Sequence, residues 1–338
     1  MAVPEDFYKR GSGYSNIKIF KCSSQVFSAE GQKGNYGSYI LMACFAGLVG
    51  MMVFYFLKGK KQAFEKLDEL NELKEKKEKK IIDKEVAKNK ENYGPLKKPV
   101  EIKDCKEDRI LREDELNFGN FDDVNGKDLR SPSKMYWSFL KFKQIILYAC
   151  FTSDRNIRAL KISLLILFVS FYMAFTALFF NDDIMRAIYT YKGNTDAAVH
   201  VPNIVLSSIC CIIMSFIVRL VTLNERDINK IILEKNPGDK YDKIKLTKRS
   251  LNIRAIIFFI ISIGIIGLCW YYVSAFCAVF KNSQKNYLIN TLVSFIVCNL
   301  WPLVTSGITV GLRRLSLKKE SPCLYKFSQV VSLFWGYY

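Results

Sequence analysis

Charge and apolarity are segregated into blocks along this 338-residue chain. Four stretches, 34–57, 162–181, 255–280 and 287–312, contain no Asp, Glu, Lys or Arg over 24, 20, 26 and 26 residues. A fifth, 197–218, is uncharged for 22 residues and resumes beyond Arg219 as far as Leu223. An α-helix rises about 1.5 Å per residue, so roughly 20 apolar residues cross a hydrocarbon core about 30 Å thick. Buried helices of water-soluble domains seldom run beyond about a dozen consecutive apolar residues. The pattern predicts an all-α integral membrane protein with five transmembrane helices, one separate and four in a group, carrying cytoplasmic helical extensions.

The first stretch starts too far into the chain and is too long for a cleaved signal peptide. Lys58, Lys60 and Lys61 follow it as a stop-transfer cluster, so it is read as a retained span. The formal charge of +18 is not the footprint of nucleic-acid binding, because its placement follows the spans. The connection 224–254 holds nine Lys and Arg, against two in 182–200 and two in 281–286. Positive charge in short connections marks the cytoplasmic side. The amino terminus is therefore expected outside and the carboxyl terminus in the cytoplasm, with the basic face toward anionic inner-leaflet lipid.

These assignments divide the chain into an outer tail (1–33), the first transmembrane helix (34–57), a charged cytoplasmic helix and linker (58–134), an interfacial amphipathic helix (135–153), a four-helix membrane domain (154–315) and a cytoplasmic tail (316–338). In the charged segment Phe64, Leu67, Leu70 and Leu73 form a short apolar stripe that ends in a Lys/Glu run, too short for a sustained coiled coil. In 135–153, Trp137 and other aromatics alternate with Lys141 and Lys143, which predicts aromatic side chains in lipid and lysines at headgroups. Arg155, Arg158 and Arg219 are assigned to the same inner-leaflet interface, Arg219 by snorkelling from the end of its span. Asn236, Pro237 and Gly238 predict a turn between the extensions of the third and fourth spans.

The residues for catalysis are missing from the sequence. His200 is the single histidine, and the apolar stretches carry no Asp or Glu. Metal-assisted and acid–base chemistry draw on those side chains, so neither an enzyme, a metal nor a cofactor is expected. Ten cysteines lie mostly in or inside the spans, which gives no disulfide framework. The final span is the one with polar character. Asn290, Thr291, Ser294, Asn299, Thr305 and Ser306 are candidates for a polar helix face, and Pro302 predicts a kink whose freed carbonyl Thr305 and Ser306 can reach.

Three stretches resemble the membrane region of polycystin-1-like proteins, the five helices that precede the channel module. The first runs from Tyr136 and Trp137 to Phe151, continues through Arg155 and Arg158, and ends at Phe179, Phe180 and Asn181. The second spans His200 to Arg219. The third joins Trp270 and Tyr271 to Phe280, then Ser294 and Phe295, then Trp301 and Pro302. Large protist surface proteins carry similar helices. The resemblance implies helix packing through Phe179, Phe180, Asn181, Trp270, Tyr271, Ser294, Phe295 and Pro302, other membrane-protein subunits as partners, and a plasma or ciliary membrane. Two departures stand against it: 58–133 lacks the alternating strands of the family's β-sandwich, and no six-helix channel module follows the fifth span.

The expected function is a non-catalytic subunit or scaffold of a receptor- or channel-type membrane assembly. The alternatives are a transporter or ion channel formed by self-oligomerisation, or a fragment of a larger surface receptor.

Overall fold

A computed structural model of the protein describes residues 15–62, 64–65, 113–152, 157–191, 197–222 and 237–335. Its longer helices are α1 (Tyr36–Phe54), α2 (Pro132–Lys143), α3 (Ile145–Phe151), α4 (Arg158–Phe179), α5 (Asp182–Thr190), α6 (Ala197–Thr222), α7 (Pro237–Val279), α8 (Gln284–Lys318) and α9 (Pro322–Trp335). The described residues contain no strand. Five helices among them are long and apolar enough to cross a membrane: α1 with its continuation to Gln62, α4, and the apolar parts of α6, α7 and α8.

Helix α4 is the centre of the bundle. It packs against α1, α6, α7 and α8. Some 56% of its apolar stretch is buried, against 17% to 39% for the others. Leu164, Leu167, Phe168, Phe171, Tyr172 and Met173 are all buried, so α4 presents large side chains on several sides. A helix apolar all round belongs inside a bundle.

The expectation of a separate first helix holds for the chain order only. In space α1 lies against both α4 and α7. Asn35 caps it, its side-chain oxygen accepting from Ser38 N–H at 3.0 Å, while its amide donates to Ser274 O of α7 at 2.9 Å. A Cβ at Gly37 would fall 2.6 Å from Cys277 Sγ and 2.7 Å from Val273 Cγ1, so glycine there permits the close approach of α1 and α7.

The segment read as an outer tail is, over its described part, a cap of short helical turns, Ile17–Lys21, Ser23–Val26 and Ala29–Gln32. Asn16 N–H donates to Leu178 O at 2.8 Å, and Tyr272 donates from its hydroxyl to Asn16 O at 3.1 Å. Tyr271 donates in the same way to Phe20 O at 2.8 Å. Val26 and Ile19 are buried. The cap is held by tyrosines some 250 residues away (|i−j| = 256 and 251), a pairing that local composition does not encode.

The interfacial helix also departs from expectation. It is two helices, broken at Gln144, whose backbone is extended (ψ 121) and whose side chain caps α3 by accepting from Leu147 N–H. Its aromatic face is not free: Phe139, Phe142 and Tyr148 are buried, and α2 packs on α8. The aromatics cover a neighbouring helix, and burying them there leaves Trp137 at 50% exposure.

Two further expectations are revised. Pro237, assigned to a turn, opens α7, where its missing N–H costs nothing. The chain runs helically through Pro302, and Thr305 Oγ1 reaches Trp301 O and Pro302 O, each at 3.4 Å, instead of the Cys298 carbonyl that Pro302 leaves without its amide. The tail folds back as α9 against α8 after a tight reversal at Glu320 (φ 49). The charged run 66–112 lies outside the described residues.

The α1–α7 contact makes a direct prediction. Gly37→Leu forces overpacking and lowers the unfolding midpoint in detergent, at a cost of about 1–3 kcal/mol. Gly50→Leu, with no atom within 4 Å of its Cβ, leaves the midpoint unchanged. A Gly37→Leu protein as stable as wild type would separate α1 from α7.

Candidate functional site

The site develops along α8. Its exposed positions include Ile289, Leu292, Ile296, Leu300, Val304 and Ile308, between 48% and 59% accessible. Its buried positions include Asn290, Thr291, Ser294, Asn299, Thr305, Ser306, Thr309, Arg313 and Ser316. Both sets recur at intervals of three and four, so each forms one helix face. The helix is inverted relative to a surface helix in water: polar side chains face the bundle and aliphatic ones face out.

The sequence candidates Asn290, Asn299 and Thr305 thus share the inward face, at 5%, 8% and 3% exposure. Much of this face satisfies itself. Thr291 donates to Tyr287 O at 2.9 Å, Ser294 to Asn290 O at 2.7 Å, Asn299 to Phe295 O at 2.7 Å and Thr309 to Thr305 O at 2.8 Å. These i→i−4 bonds are available to short side chains without leaving the helix. Others cross between helices: Tyr287 donates from its hydroxyl to Met173 O of α4 at 2.7 Å, and Tyr172 donates to Ser208 Oγ of α6 at 3.1 Å. Asn203 of α6 donates to Thr176 O at 3.4 Å and accepts from Ser207 at 2.8 Å. Asn290 Nδ2, Asn299 Oδ1 and Ser306 Oγ are buried without a described hydrogen-bond partner.

The positions that carry the resemblance are spread over α4, α5, α7 and α8. Phe180 is fully buried, edge-on to Phe276 and Tyr287 at 5.8 and 6.1 Å. Asn181 caps α5 by accepting from Ile184 N–H at 3.1 Å, while Phe179 is half-buried. Trp270 donates to Ser38 Oγ at 3.0 Å, tying α7 to α1, and Tyr271 holds the amino-terminal cap. Phe295 packs edge-on to Tyr172 at 5.7 Å; Ser294 and Pro302 are buried. Of these residues, Phe180, Trp270 and Phe295 make contacts between helices, whereas Asn181 and Ser294 bond within their own helices.

At the other end of α8, buried cations replace polar neutrals. Arg313, 1% exposed, donates to Asn117 O at 2.5 Å, to Leu116 O and to the Tyr325 hydroxyl. Its guanidinium also lies 4.4 Å from the Tyr325 ring centroid and 5.4 Å from that of Phe139. One side chain thereby joins α8 to α2, α9 and the short helix Glu113–Phe118. Arg130 forks onto Asp128 with two 2.7 Å bonds and donates to Asn117 Oδ1 at 2.9 Å and Ser138 Oγ at 3.2 Å, fixing the Asn117 segment that receives Arg313.

Lys143, assigned to headgroups, points inward instead. It is fully buried and donates to Thr309 Oγ1 of α8 at 2.8 Å, with the Phe139 ring 5.9 Å away. The break at Gln144 ends α2 at this residue. Lys161, which carried no assignment, is buried and donates to Thr152 O at 2.7 Å. Lys141 remains at the surface, 3.9 Å from Glu113, and Arg158 is exposed. Arg155 and the side chain of Arg219 lie outside the described residues. Reasoning from sequence passed over Arg313 because it directly follows an apolar stretch, where arginine is common; the 306, 309, 313, 316 spacing of Ser, Thr, Arg and Ser was the available signal.

No protein-family model, curated protein or solved structure matches this chain.

Burial lowers the Lys143 ammonium from 10.5 to about 8. Between those values the unfolded chain binds the additional proton, so stability rises with pH through that window and is level below it. Relative to Lys143→Met, the wild type gains on the order of 3 kcal/mol in unfolding free energy from pH 8 to 10.5, at 1.36 kcal/mol per unit. Parallel pH profiles for the two proteins would place Lys143 in water.

Proposed function

We propose that this chain is a multi-pass membrane protein, amino terminus outside, acting as a non-catalytic subunit or scaffold in a receptor- or channel-type assembly with other membrane proteins. The polycystin-1-like resemblance suggests the kind of assembly and a plasma or ciliary membrane. The observation that carries the reading is the inverted α8. A pore built between copies of the chain needs a polar outward face, and the polar candidates all turn inward. The outward ladder from Ile289 to Ile308 is aliphatic, suited to lipid or to an apolar partner helix. The basic connections support contact with anionic inner-leaflet lipid.

A second reading, transport through the interior of one protomer, is favoured by the buried unpartnered atoms of Asn290, Asn299 and Ser306. Affinity purification of the full chain from native membranes in mild detergent separates the two. The subunit reading predicts a stoichiometric complex with another integral membrane protein and silent liposomes when the chain is reconstituted alone. Solute or ion flux from the lone chain, abolished by Asn299→Leu, would overturn it in favour of transport.

A further inference from the structure

Between α2 and α8, at the Arg313 end of the bundle, runs an open groove of about 680 Å3. Its floor is the backbone of α8 at Gly307 and Gly311. A Cβ at Gly311 would meet no atom within 4 Å, and one at Gly307 only Tyr136 Cε2 at 3.9 Å, so the absence of side chains there is what makes the hollow. Tyr136 forms one wall and is fixed by donating from its hydroxyl to Leu303 O at 3.2 Å. Trp137 lines the mouth and keeps half its surface exposed.

The two ends differ in chemistry. Toward Lys318 stands Arg314, exposed and without a hydrogen bond or ion pair among the described residues. Ser133, in the first turn of α2, lines the same groove; α2 is a 12-residue helix capped by Ser131, whose amide dipoles add positive potential. Toward the middle of α8 the groove is glycine and aromatic surface, continuous with the aliphatic ladder at Val304 and Ile308. From Gly307 to Arg314 is about 10 Å along the helix axis, at about 1.5 Å per residue. An occupant must therefore carry an anion at one end and an apolar chain at the other, and must enter from the aliphatic face.

We infer that this groove holds one phospholipid of the cytoplasmic leaflet with an acidic headgroup. Its phosphate sits at Arg314 and Ser133, and the upper part of an acyl chain lies over Gly307 and Gly311 against Trp137. The inference rests on the membrane reading above and adds a defined site to it. The volume falls within the roughly 300–1,000 Å3 of small-molecule sites. Arginine with a helix amino terminus is suited to phosphate, and Trp sits readily at the level where chains meet headgroups. A free phosphate satisfies only the charged end.

Native mass spectrometry of the full chain, released from mild detergent with phosphatidylserine or phosphatidylcholine of identical chains, tests the site. Wild type is expected to retain one phosphatidylserine about tenfold better than phosphatidylcholine. Arg314→Gln removes the preference but leaves chain binding, whereas Gly311→Leu, which fills open space, reduces retention of both lipids. Soluble glycerophosphoserine does not displace the bound lipid. Equal retention in wild type and both variants, or displacement by glycerophosphoserine, overturns the inference. Membrane integration is read separately: a chain that resists alkaline-carbonate extraction yet retains no lipid contradicts the groove alone, and a chain that is extracted contradicts the membrane reading itself.

Discussion

The arrangement depends on where α8 puts its polar side chains. A hydroxyl or amide in hydrocarbon has no water to bond, and each unpaired group costs several kcal/mol. α8 carries such groups along its whole length, so in the membrane proposed for it the usual orientation of an amphipathic helix would expose them to hydrocarbon. Turning them inward lets i→i−4 bonds and cross-helix partners on α4 and α2 satisfy many of them. The outward face is then aliphatic by the same geometry. The position of α4 follows, since Tyr172 and the Met173 and Thr176 carbonyls must reach α6 and α8.

Buried charge is handled by a related device at the Arg313 end. Moving an ion from water into protein costs several kcal/mol even after relaxation. Arg313 meets that cost with backbone carbonyls, a phenol oxygen and two aromatic faces. Lys143 uses one hydroxyl and one ring, and burial makes its ammonium easier to deprotonate than a lysine in water. Because the acceptors of Arg313 belong to the Glu113–Phe118 helix and to α9, the cation ties both segments to α8. Tyr325 extends this by donating to Gly119 O at 2.9 Å, where Gln329 donates as well.

Much of the helical content was legible from one-dimensional segregation. The 197–218 and 287–312 stretches fall within α6 and α8, 162–181 overruns the end of α4 by two residues, and 34–57 corresponds to α1 with its extension, because length and apolarity report on a helix without reference to its neighbours. The polar face of α8 was legible for the same reason, being periodic within one helix. Side-chain destinations were not. The amino-terminal cap is bonded by Tyr271 and Tyr272, the inward turn of Lys143 meets Thr309, and Arg313 meets Tyr325 of α9. Each is a contact between residues more than 10 apart in sequence, and the alternation of aromatics with lysines in α2 reads the same whether the aromatics meet lipid or another helix. The break at Gln144 carries no glycine or proline to announce it.

The central claim is the inversion of α8, and electron paramagnetic resonance tests it most directly. Single spin labels at Asn299, Leu300, Val304, Thr305 and Ile308 in bilayer-reconstituted protein report collision with lipid-dissolved oxygen. The account predicts high accessibility at Leu300, Val304 and Ile308 and low accessibility at Asn299 and Thr305. High accessibility at Asn299 and Thr305, or no helical periodicity across the five sites, would contradict it.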